Sequence, residues 1–137
     1  MKRFLSVLVL VLFISGLLTA AAPLPATTFT LVGGVGLPDT MEVGERYMVV
    51  VQVTSDQPFL GVQAMPSFAY PGKGVVAVQG GDRAGGGTTA TLEVTFQAKS
   101  STARMQGGAA PVYVVVGVRY PGGYVAVQEY LFNVTVP

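Results

Sequence analysis

From residue 89 to residue 98 the chain alternates without a break. Ala90, Leu92, Val94, Phe96 and Ala98 fall on one side, and Thr89, Thr91, Glu93, Thr95 and Gln97 on the other. Successive side chains of a strand point to opposite faces, whereas a helix would scatter these residues around its axis. The stretch is a strand with one apolar and one wet face, in a sheet whose outer side is solvated. No segment of residues 22–137 carries a helical apolar period, and Gly and Pro clusters punctuate Val-, Thr- and Tyr-rich runs at short intervals. That grammar predicts an all-β fold, a single antiparallel sandwich of about seven strands.

The other strands follow from the same reading. Residues 27–32 (TTFTLV) alternate and end at Gly33-Gly34. In residues 46–54 (RYMVVVQVT), Tyr47, Val49, Val51 and Val53 share one face. Ser55-Asp56-Gln57-Pro58 reads as a turn, residues 59–65 as a third strand stopped by Pro66, and residues 75–79 as a short fourth. Ala84-Gly85-Gly86-Gly87 reads as a flexible connector and residues 99–108 as a long polar loop. Residues 112–120 (VYVVVGVRY) are apolar on both faces, which predicts a central strand or a covered one. Pro121-Gly122-Gly123 makes a hairpin turn into residues 124–136. There the apolar positions change parity between Val127 and Tyr130, which predicts a bulge near Gln128-Glu129.

The N-terminus has a different logic. Met1-Lys2-Arg3 is basic, residues 4–18 are uncharged and mostly apolar, and Thr19-Ala20-Ala21-Ala22 is small. This is the pattern of a secretory signal peptide, with cleavage expected after Ala21 and a domain at 22–137. An uncleaved anchor is the alternative, since residues 4–22 are uncharged over roughly the ~20 residues of a membrane span. Without residues 1–21, the eight basic residues fall to six against seven acidic ones, a net charge of about −1. The charges are scattered, so neither nucleic acid nor an anionic membrane surface is an expected partner.

The chain has no Cys, His or Trp. Disulfides, Cys/His metal sites and His-dependent triads are thereby excluded, and no cofactor is expected. No nucleophile sits beside an activating base, so the chain reads as non-catalytic. Asp39, Glu42 and Glu45 recur every three residues and, with Asp82, form a candidate calcium set. A solvated charged loop explains the same residues, and the oxygens fall short of the ~6–8 that calcium takes. Tyr70, Tyr120 and Tyr124 flank Pro-Gly turns and are candidate exposed platforms for a glycan or small ligand. Tyr47, Phe96, Tyr130 and Phe132 fall on core-facing positions. Residues 70–79 and 120–128 echo each other, which two similar turns entering strands account for. Asn133-Val134-Thr135 fits a glycosylation sequon inside an expected strand.

Val43-Gly44-Glu45-Arg46-Tyr47 ahead of a Val-rich strand resembles the opening of bacterial and archaeal extracellular immunoglobulin-like modules. Gly86 through Phe96, Gly107-Gly108, Val112-Tyr113-Val114-Val115-Val116 and Asn133-Val134-Thr135-Val136 resemble their second half. The resemblance is to cell-adhesion-related and S-layer-type modules, over about residues 40–137. It implies an immunoglobulin-like sandwich and transfers no catalytic residues.

The expected function is a secreted or cell-envelope domain with a structural, adhesive or protein-interaction role, and with envelope proteins or its own copies as partners. One alternative is a carbohydrate- or small-ligand-binding module using the tyrosine-bearing turns. Another is a donor-strand filament subunit, in which residues 27–32 complete a neighbour's sheet.

Overall fold

A computed structural model describes residues 23–34, 36–66, 75–80 and 82–137. The segment 1–21 expected to be a signal peptide, and Tyr70, lie outside the described residues. Among the described residues eight strands form: β1 (Thr27–Leu31), β2 (Arg46–Phe59), β3 (Gly61–Pro66), β4 (Val76–Gly80), β5 (Asp82–Ala84), β6 (Gly87–Ala98), β7 (Ala110–Arg119) and β8 (Val125–Val134). They make two four-stranded sheets, ordered β1-β2-β6-β4 and β5-β3-β7-β8, with every strand pair antiparallel. The all-β sandwich read from the sequence is what the chain builds.

The alternation of β6 is realised residue by residue. Leu92, Val94, Phe96 and Ala98 are fully buried, and Thr91 and Glu93 are exposed. Val49, Val51 and Val53 of β2 meet them from the neighbouring strand. Val112, Val114, Val116 and Val118 of β7 line the opposing sheet. β-Branched side chains suit this role, because their restricted rotamers pack well on a pleated surface. Each buried valine contributes roughly 1.5 kcal/mol or more of transfer free energy. β7 lies between β3 and β8, the central position its two apolar faces predicted.

Three local expectations are corrected. First, residues 55–58 are not a turn: β2 runs on to Phe59, and its pairing with β6 shifts between Thr54 and Phe59. Pro58 sits inside that irregularity, where its missing N–H breaks no ladder. Leu60 N–H then donates to Arg119 O (2.7 Å), so the chain passes from one sheet to the other at this corner. Second, residues 82–84 are a strand on β3, followed by a return crossing into β6. The two crossings lie against each other: a Cβ on Gly86 would come within 3.1 Å of Phe59 O, a tight approach that favours glycine there. The glycine run is thus a sheet-switching corner rather than a slack connector.

Third, β8 has no bulge. Its register with β7 is unbroken from Arg119↔Val125 to Ala110↔Val134. Ala126, Tyr130, Phe132 and Val134 all face inward, and Val125, Val127 and Leu131 stand on the outer face. The parity change in the sequence marks apolar residues placed on the solvent side, not a strand that flips.

Candidate functional site

Both ends of the β7–β8 hairpin carry hydroxyl clamps. At one end Tyr120 continues the inward parity of Val112–Val118 and is 1% exposed. Its N–H closes the turn on Tyr124 O (2.9 Å). Its ring packs edge-on against Phe59 and tilted against Tyr124. The phenol hydroxyl lies 2.6 Å from Thr27 Oγ1 and donates to Ser55 Oγ at 2.7 Å, which ties β1 and β2 to the opposite sheet. Tyr120 is therefore no exposed platform, and that expectation is corrected: a ring buried under β1 presents no face to a sugar. Tyr124 is half-buried against it.

At the other end Thr102 is the one buried polar side chain among the described residues. Its hydroxyl donates to Gly108 O (2.6 Å), with Val136 O at 3.1 Å, and accepts from Val136 N–H (2.9 Å). The long loop and the C-terminal segment are closed by this one side chain.

The carboxylates proposed for calcium do not converge. Glu45 Oε2 accepts from Glu42 N–H (2.9 Å), and Asp39 contributes its backbone oxygen to Thr135 N–H (2.8 Å). The Asp82 carboxylate accepts from Arg83 N–H (2.8 Å) and Glu93 N–H (3.2 Å). No group of three or more His, Cys, Asp or Glu residues is gathered among the described residues. The Glu45 and Asp82 carboxylates serve as acceptors for backbone N–H groups, and the four acids are not gathered into a site.

The feature the sequence reading missed is the outer face of the β5-β3-β7-β8 sheet. Val125, Val127 and Leu131 are 50%, 60% and 51% exposed there. They pair across to Arg119, Gly117 and Tyr113 of β7. Beside them lies an open groove of about 540 Å³, lined by Leu60, Met65, Val115 and Val125 together with Arg83 and Arg119. Gly117 leaves that groove open: it has no positive φ, and a Cβ built on it would meet nothing within 4 Å. The one perturbed titratable group among the described residues is Tyr130, whose phenol is raised above its ordinary value by burial.

No family model matches the sequence. No curated protein matches it either. By fold the molecule is similar to parts of several solved structures. Against native alpha-2-macroglobulin of Escherichia coli the TM-score is 0.46 at 18% identity, over 85% of this chain and 7% of that one. Against BcpA, the major pilin subunit of Bacillus cereus, it is 0.40 at 9% identity, over 82% of this chain and 40% of that one. Murine CRIg gives 0.37 at 10% identity, over 82% of this chain and 98% of that one. The chain thus spans well under two thirds of the macroglobulin and of the pilin.

Proposed function

We propose that this chain is an exported, non-catalytic immunoglobulin-like domain that serves the cell envelope as a structural or adhesive module. The observation that carries the reading is the asymmetry of its two outer faces. The β1-β2-β6-β4 sheet turns Thr28, Thr30, Gln52, Thr91 and Glu93 to solvent, with Met48 and half-buried Val50 as apolar neighbours at one end of β2. The other sheet turns out Val125, Val127 and Leu131 beside half-buried Tyr113 and Val115. A contiguous apolar surface on one sheet of a sandwich marks a place where another molecule docks. The leader-like residues 1–21 and the lack of Cys and His support export and a non-catalytic role.

Two measurements test this. The full chain, expressed in a bacterial host and fractionated, should leave the cytosol and give a mass beginning at Ala22. A cytosolic protein that keeps residues 1–21 refutes export. The exported protein should bind isolated cell envelopes, and combined Val125→Ser, Val127→Ser and Leu131→Ser should lower that binding at least tenfold. Binding indifferent to the three changes refutes the role given to the outer face.

A further inference from the structure

The sandwich has four edge strands of very unequal length. β1 and β4 are five residues each and β5 is three, whereas β8 is ten. Short edges are a common protection against strand addition, and a long, unbulged, apolar edge is the opposite. The direction of its free hydrogen-bonding groups is fixed by neighbours. Tyr120 N–H bonds Tyr124 O, so the alternation of an antiparallel ladder aims the N–H and C=O of the even-numbered residues of β8 at β7. The odd-numbered residues aim outward. Thr135, next in that series, is already paired on this side: its N–H donates to Asp39 O (2.8 Å) and its oxygen accepts from Met41 N–H (3.0 Å). The edge is therefore competent for pairing, and the chain's own segment 39–41 covers only its last position. Among the described residues, Val125, Val127, Glu129, Leu131 and Asn133 remain, with a single covering bond from Gln128 Nε2 to Glu129 O (2.9 Å).

We propose that this edge pairs with the same edge of a second copy, antiparallel about a two-fold axis at Gln128, joining two β5-β3-β7-β8 sheets into one. The sequence of the strand selects both the partner and the register. An axis at Gln128 sets Val125 opposite Leu131 of the second copy and Leu131 opposite its Val125. It sets Val127 opposite Glu129, so no like charges face each other. An axis at Glu129 would oppose two carboxylates, which destabilises a cross-strand pair. An axis at Tyr130 would bring Val125 against Thr135, where residues 39–41 already hold the edge. The span 125–131 is thus self-complementary and supplies about eight backbone hydrogen bonds by the pairing rules of an antiparallel ladder. The proposal rests on the reading that the domain works in contact with other molecules, and it names one of them.

The chain has no cysteine, so single introduced thiols report the register against no background. Residues at the centre of such a pair lie about 4.5 Å apart by Cα, within disulfide reach. The purified full chain should sediment as a dimer. Gln128→Cys should cross-link to a covalent dimer under mild oxidation, while Val127→Cys and Glu129→Cys, each diagonal to its own copy, should stay uncross-linked. Val127→Pro removes an outward N–H and spares the β7 ladder. It should weaken dimerisation by about 100-fold and keep the β-type circular dichroism, since two symmetric bonds and their neighbours are lost. A monomer at millimolar concentration overturns the proposal, and so does a dimer that Val127→Pro leaves intact. Cross-linking at Glu129→Cys in place of Gln128→Cys overturns the register. Failure of export bears on the functional reading alone, because dimerisation is measured on the purified chain whether or not the host exports it.

Discussion

Replacing Thr102 by valine keeps the side chain's shape and removes its hydroxyl. The wild-type hydroxyl sits in a 1% exposed position, donates to Gly108 O and accepts from Val136 N–H. The Thr102 N–H bond to Val136 O (2.8 Å) is untouched, so the strand-like contact persists while its cap is lost. One hydrogen bond to Gly108 O is worth about 1 kcal/mol net. Leaving the buried Val136 N–H without an acceptor costs roughly 1–3 kcal/mol more. The expected loss is about 3 kcal/mol, or a fall in Tm of roughly 10–12 °C for a domain of this size. Thr102→Ser is the control: it retains every hydrogen bond, lacks only a methyl, and should cost about 1 kcal/mol. Urea unfolding followed by circular dichroism measures both, with the slope m unchanged if only the native state is affected. A Thr102→Val protein within 0.5 kcal/mol of Thr102→Ser would refute the role assigned to the hydroxyl.

Gly36→Ala should destabilise by about 1–3 kcal/mol, since its Cβ would overlap the Phe132 ring and force that ring off Tyr130, against which it stacks at 6.4 Å. Chemical denaturation reads this directly. Gly117→Val should do the reverse and stabilise by about 0.5–1 kcal/mol, because the position is an ordinary strand residue with open space above it. The same change fills the groove, so a melting curve and a ligand screen move independently. Burial raises the Tyr130 phenol in the folded state, so the unfolded chain ionises first as pH climbs past about 10. The stability carried by the neutral phenol is whole below that pH and is lost as pH rises through the folded value. Tyr130→Phe should flatten this part of the pH–stability profile in denaturant titrations above pH 9.

How far the sequence could be read depended on the length of each periodic run. β6 was legible because ten residues of strict alternation leave one solution, and β7 because a β-branched run apolar on both faces fits a central strand. The same rule extends to Tyr120: its parity matches Val112 through Val118, and the Pro-Gly turn after it drew attention to the wrong property. β8 was misread for a physical reason. Period-two reasoning assigns apolar residues to the core, so Val125 and Val127 on the outside looked like a register change. Apolar side chains on a solvent face are a functional departure from the pattern, and sequence reading fails at such departures. The three-residue β5 was beyond reach, because its pairing with β3 is set by the corner at Gly86 rather than by its own residues. The bond of the Glu45 carboxylate to Glu42 N–H, and the use of the Asp39 backbone oxygen by Thr135 N–H, depended on turn geometry that spacing alone does not give.

A Cys-free domain holds its terminal segments by other means, and here a hydroxyl at each end of the β7–β8 hairpin adds to the backbone pairing of those segments. Tyr120 holds β1 through Thr27, and Thr102 holds the C-terminal segment through Val136. Between the two ties runs β7, ten residues long, which at about 3.4 Å per residue separates them by roughly 30 Å. Tyr120→Phe alone should cost about 1–2 kcal/mol, less than Thr102→Val, because Thr27 and Ser55 are only half-buried and water can replace the lost partner. Sites so far apart with no shared partner add in free energy to within about 0.5 kcal/mol. The double variant should therefore lose about 4–5 kcal/mol in urea unfolding. A coupling larger than about 1 kcal/mol would mean that the two ends of the sandwich loosen together, and that the clamps do not act independently on β1 and on the C-terminal segment.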